Sequence, residues 1–208
     1  MVEATPELYL STAPLTPLPV LQMLRTATAV QHKRLEARLP LTHPQLDQAT
    51  YKRIIEAYYG FHVPLQRQIE GFLGAEGANP QRQKIPALLK DLHGLGLTAE
   101  QIDALPLCWE LPTLDSHARL LGIMYVMEGA TLGGQVLRRI IADRLAIGPD
   151  NGGEFLDVYG RDTGRLWKDF LKELAASDHP DYNQQTVDAA CATFACFEGW
   201  LEGTGVLL

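Results

Sequence analysis

Four glycines fall inside one apolar stretch, Leu120 to Ile141, that otherwise has the composition of a long helix. Each interior glycine costs a helix about 0.8–1 kcal/mol against alanine, so Gly122, Gly129, Gly133 and Gly134 together forgo about 3–4 kcal/mol. A close approach that only bare backbone permits has to offset that loss. At about 100° per residue, Gly122, Gly129, Gly133 and Ile140 share a stripe about 40° wide, so one flank of the helix carries almost no side chains. Such a flank admits a flat ligand against the main chain, and it equally suits tight helix–helix packing or a kink. It suits a membrane-spanning dimer poorly, because Arg119, Glu128, Arg138 and Arg139 interrupt the roughly 20 apolar residues that a span needs.

The 208 residues are 46% hydrophobic, enough for one domain with a substantial core. A net charge of -7, with the basic residues scattered instead of blocked, argues against a nucleic-acid partner and suits a cytoplasmic protein. Glu3 and Glu7, with no early Lys or Arg and no sustained apolar run, give no sign of a signal peptide or a membrane anchor. Cys108, Cys191 and Cys196 form no CxxC pair and read as small apolar residues, not as a disulfide framework or a zinc site.

Strand signals are nearly absent, so the expected class is all-α. Residues 1–17, rich in Thr and Pro, are expected to form a flexible N-terminal tail, and residues 18–208 a single helical domain. Leu21, Leu24, Thr28, Leu35 and Leu39 recur at helical spacing from Val20, and Pro40 ends that helix. A second helix is expected from Asp47 to Phe72, stopped by Gly71, Gly74 and Gly77, and a third from Ile85 to Leu92. Thr98 with Gln101 has the form of a capping box, and Asp115 is the expected cap of the glycine-bearing helix. Two further amphipathic helices are expected over Arg161–Ala176 and Gln184–Glu202.

Among six histidines, His32 projects within about 20° of Leu21 and Leu39, which predicts a place on the buried stripe of the first helix. A histidine on an apolar face is ordinarily a satisfied core residue, but its neighbours here suggest more. Glu36, one turn on, can accept from imidazole Nδ1 and leave Nε2 free for a metal. Arg25 lies on the same face about 10 Å along the axis. A neutral imidazole with a guanidinium at that distance suits an iron porphyrin and its propionates.

The run Leu24-Arg25-Thr26-Ala27-Thr28, then His32 and Leu35-Glu36, with Tyr125-Val126-Met127-Glu128-Gly129-Ala130-Thr131-Leu132-Gly133-Gly134 later, resembles the biliverdin-producing heme oxygenases, and most of all the bacterial branch that supplies bacteriophytochromes. The resemblance extends from about Pro19 to Leu201. It implies a multi-helix bundle with heme held between a proximal and a distal helix. His32 would be the axial ligand of the iron, Glu36 its hydrogen-bond partner and Arg25 a propionate contact. Gly129 and Gly133, followed by Gly134, would cross the other heme face, with Lys168 a second propionate contact and Phe194 an aromatic at the heme edge. Many members carry an aspartate after the first distal glycine; Ala130 stands there instead, and Thr131 is a partial substitute at best. Implied partners are heme and O2, an external reductase, ferredoxin or flavodoxin, and a bacteriophytochrome receiving biliverdin, with carbon monoxide and ferrous iron as the other products.

Two other classes stay open on the sequence. A heme carrier or sensor that leaves its ligand intact would keep His32 and Arg25 but would not need the glycine stripe. A thiaminase-like protein or a diiron carboxylate bundle would need paired Glu-x-x-His motifs or an activated cysteine, and neither is legible.

Overall fold

The computed structural model describes residues 19–77 and 79–208. The expected tail therefore lies outside the described residues. Among these described residues seven α-helices follow one another, α1 Pro19–Arg38, α2 Gln48–Gly77, α3 Ile85–Gly94, α4 Ala99–Asp103, α5 His117–Leu145, α6 Thr163–Ala176 and α7 Pro180–Gly203, and no strand occurs.

Local chemistry sets the helix ends. Leu21, Leu24, Thr28 and Leu35 are buried along α1, which stops just before Pro40 opens a 3-10 turn. The regular part of α2 breaks at Gly74, whose φ of 69° lies in the left-handed region that glycine tolerates. Inside α2, Pro64 has no N–H to offer the carbonyl of Gly60, and the Cys108 amide takes that acceptor at 2.9 Å. The Thr98–Gln101 capping box is present in full. The cap of α5 is Ser116, whose hydroxyl accepts from the Arg119 amide at 3.3 Å, and not Asp115 as expected; Asp115 instead pairs with the Arg119 guanidinium at 3.1 Å. Helix α7 starts earlier than Gln184 because His179 caps it and Pro180 occupies its first turn, where a missing N–H costs nothing.

Helix α7 is the shared partner of α1 and α5, which hardly touch each other. Gln31 donates to the Cys191 carbonyl at 3.1 Å, and Arg34 and Arg38 converge on Glu198, so α1 runs in the same direction as α7. Ser116 meets Gln185, and Ile123 and Met127 share an apolar cluster with Cys196 and Phe197, so α5 runs that way too. By length and apolarity α5 would suffice to cross a membrane. In this fold it is a central helix with Leu121, Ile123, Val126 and Met127 buried.

The connection between α5 and α6 is held by buried polar groups. Asp91 on α3 is fully buried and accepts the amides of Glu154 and Phe155 at 2.7 and 2.8 Å, while the Tyr51 hydroxyl donates to the Gly152 carbonyl at 2.8 Å. Burial pushes the Asp91 carboxyl up to about 6 against the pull of those two amides. These bonds fix Leu156, whose main chain is the seat for one turn of α5.

Candidate heme site

The four glycines of α5 divide into two pairs. A Cβ on Gly122 would sit 2.8 Å from the Ala189 Cβ and 2.9 Å from the Ala190 amide, and closer still to the Thr186 carbonyl. A Cβ on Gly134 would run into the Leu156 carbonyl. Both are therefore contact points for neighbouring backbone, which corrects the single bare flank expected to include Gly122 and removes Gly134 from the open surface. Gly129 and Gly133 differ. A Cβ at Gly133 would meet nothing within 4 Å, and at Gly129 only the Trp167 ring at an ordinary 3.9 Å.

Beside those two glycines, Leu132 and Val136 are 43% and 61% exposed. Residues 129, 132, 133 and 136 fall at i, i+3, i+4 and i+7, the spacing of one helix face. Helix α5 thus keeps the same rotational phase throughout but is covered by α7 in its first half and open in its second. Thr131 lies about 200° around the axis from both open glycines, and its hydroxyl donates to the Glu128 carbonyl at 2.7 Å. It is turned away from the face it was expected to serve.

Across α7 stands His32. Its side chain is 55% exposed, so it sits at the edge of the buried stripe and not within it. Its ring meets Phe194 of α7 edge-on, with centroids 5.9 Å apart. Glu36 Oε2 lies 3.4 Å from Nδ1, the partner and the ring atom that the i, i+4 spacing predicts. Arg25 and Lys168 are exposed and form no ion pair among the described residues. His32 is level with Phe194, and Met127, two residues before Gly129, is in the cluster of Cys196 and Phe197. Imidazole and open glycines therefore flank one stretch of α7.

Two features escaped the sequence reading. Trp167 on α6 packs on Tyr125 with centroids 6.2 Å apart and closes the space beside Gly129. Glu128, 1% exposed, is paired with Lys84 and Arg82. The available signal was that Glu128 is the one acid in an otherwise apolar run. A groove of about 630 Å³ lies elsewhere, on another face of α7 among Trp109, Trp200, Cys108 and Cys196, and shares no residue with the His32 and glycine set. The three cysteines are free, with burial raising their thiol pKa values.

Residues 18–203 match the heme oxygenase family model. The chain belongs to the heme oxygenase family. A heme oxygenase of Xanthomonas campestris pv. campestris (strain 8004) is 31% identical over 101 residues, which is 48% of this chain and 57% of that protein. The match thus spans little more than half the length of that relative. The solved heme oxygenase of Leptospira interrogans superposes with a TM-score of 0.69 at 20% identity, covering 88% of this chain and 98% of that one. At that identity the likeness is one of fold, and it agrees with the all-α bundle.

Heme fits the residues present. Family members hold a planar, largely apolar substrate with two acidic arms. This chain offers a half-exposed imidazole and an open apolar helix face flanking one stretch of α7, and Arg25 and Lys168 are exposed cations on α1 and α6. No group of three His, Cys, Asp or Glu side chains converges among the described residues, so the ligand set of a diiron centre does not form there.

Proposed function

We propose that this protein is a heme oxygenase that binds heme through His32 and converts it, with O2 and electrons from outside, to biliverdin, carbon monoxide and ferrous iron. One observation carries the reading. An imidazole braced by Phe194 and an apolar helix face stripped of side chains at Gly133 flank the same stretch of α7.

Heme supplies both the iron that activates O2 and the porphyrin edge that is oxidised. Every other task falls to the chain. His32 would offer Nε2 to the iron, with the Glu36 carboxylate 3.4 Å from Nδ1 and so placed to orient the ring. Arg25 and Lys168 supply the charges for the two propionates, and Phe194 holds the imidazole plane. Main chain at Gly129 and Gly133 lets the substrate lie close and leaves room over it, and Leu132 and Val136 keep water from the ring. With Ala130 where many members place an aspartate, and Thr131 turned away with its hydroxyl on the Glu128 carbonyl, these two positions supply no acid on this face.

The electron donor is a reductase, ferredoxin or flavodoxin, and a bacteriophytochrome is the proposed receiver of the product in the cytoplasm. Titration of the purified protein with hemin tests the binding step. A histidine-ligated Soret spectrum is expected, and it should be lost in His32→Ala; retention of the wild-type spectrum in that variant refutes the assignment. Adding reductant and O2 then separates an oxygenase from a carrier. Decay of the Soret band with growth of a biliverdin spectrum is expected, and an unchanged heme band would leave only binding.

A further inference from the structure

We propose that Glu128 is a positioning residue, one that fixes the main chain of Gly129 to Gly133 against Trp167 and so sets where the substrate lies. The proposal rests on the functional reading above.

The Glu128 carboxylate is enclosed by groups from two other segments. Lys84 Nζ lies 2.7 Å from Oε1, the Tyr159 hydroxyl donates to the same oxygen at 3.0 Å, and Arg82 pairs with Oε2. Lys84 also donates to the Tyr159 hydroxyl at 2.7 Å, which closes a three-membered ring of bonds. The Lys84 amide is in turn fixed by Gln66 Oε1 at 3.0 Å. The bridge by Arg82 gives the cluster its reach. Its guanidinium also donates to the Leu166 carbonyl at 3.2 Å, and Leu166 precedes Trp167. One cation therefore holds the residue before Gly129 and the residue before the ring that faces Gly129. Both sides of that contact share one anchor.

Stability alone does not account for such a cluster. Removing a carboxylate and two cations from water costs several kcal/mol per ion, and apolar replacements of similar volume are often neutral or stabilising. Burial lowers the Lys84 pKa even with the carboxylate alongside. Such a ring does supply register. Its bonds are all satisfied at one rotation and one height of α5 relative to Lys84 and Tyr159, Arg82 extends that register to Leu166 of α6, and a slip of a few tenths of an ångström leaves buried charge unpaired. Gly129 and Gly133, which have no side chains to grip their surroundings, gain their placement from Glu128 at the start of that turn.

Glu128→Gln keeps the shape and removes the charge. In the heme-free variant, amide hydrogen exchange over residues 129–134 should accelerate about tenfold, while the turn seated on α7 around Gly122 stays protected. In the hemin complex, affinity should stay within about threefold while a dominant biliverdin isomer gives way to a mixture. Unchanged exchange over 129–134, or an unchanged isomer ratio, overturns the proposal. So does a uniform rise in exchange with a lower Tm and the original isomer, the signature of a structural role only. If Glu128→Gln does not fold, Arg82→Lys carries the same two readouts, because it keeps a cation for Glu128 but lacks the fork that also holds the Leu166 carbonyl. Failure of wild-type hemin to gain a histidine ligand would refute the functional reading and leave the exchange result as an independent test.

Discussion

Alanine placed at each glycine of α5 should sort the packing glycines from the ligand-facing ones, because stability and activity ought to move in opposite directions. At Gly133 the added methyl meets nothing within 4 Å, so the folded state loses no contact. Helix propensity then favours alanine by about 0.8–1 kcal/mol. For a domain of this size that is a rise in Tm of about 2–4 °C. At Gly122 the same methyl lies 2.8 Å from the Ala189 Cβ and 2.9 Å from the Ala190 amide, and α5 must back away from α7. Overpacking of that kind costs about 1–3 kcal/mol, which outweighs the propensity gain and lowers Tm. Thermal unfolding of the heme-free variants followed by circular dichroism measures both. Hemin turnover supplies the second axis: Gly133→Ala should slow or redirect oxidation more than it weakens heme binding, since its methyl enters the face proposed to lie over the substrate. A Gly133→Ala protein that is less stable than wild type, or one that is equally active with the same product, would refute this division.

His62 is buried among Tyr58, Phe155 and Phe197 and its pKa is lowered to about 3, chiefly by desolvation. Its unfolded value near 6.5 means the unfolded chain binds the extra proton between those limits, so this group erodes stability as pH falls from about 6.5 towards 3, by up to about 1.4 kcal/mol per unit. Asp91 acts in the opposite sense, since its raised pKa of about 6 favours the fold as pH falls from 6 towards 4. His62→Phe should therefore flatten the acid limb of a Tm-against-pH curve, and an unaltered limb would show that His62 does not set it. Glu198 holds Arg34 and Arg38 of α1 and its pKa is lowered first by the Arg34 hydrogen bond, so its contribution is present above about pH 4.5 and lost below. Glu198→Gln should cost about 1–3 kcal/mol in urea titration at pH 7 and much less at pH 3; equal costs at both would sink the pairing argument. Trp167→Ala should loosen heme binding and broaden the product distribution while α5 stays helical, and product chemistry unchanged from wild type would remove Trp167 from the wall of the site.

The elements whose chemistry is local could be read from the chain. The leucine spacing of α1, the stop at Pro40 and the capping box at Thr98 depend on residues within a few positions of each other, and the structure repeats them. The glycine stripe was legible as a stripe, but its division was not, because Thr186 and Leu156 decide it from elsewhere in the chain. His32 shows the limit of angular reasoning: a position near the buried arc is half-exposed when the neighbouring helix stops covering that edge. Glu128 entered the sequence argument as a charge unfavourable in a membrane and as a letter of the resembling run, with no role of its own. Its partners lie 44, 46 and 31 residues away and give no pattern in sequence.

Because α1 and α5 are each mounted on α7 and scarcely on one another, the gap between them behaves like a pair of jaws on a common rail. The Glu128 cluster makes α5 the fixed jaw, so any tightening on a bound disc would have to come from a tilt of α1, whose contacts are chiefly with α7. The tightening would be read most directly from the spacing of labels placed on those two helices before and after loading.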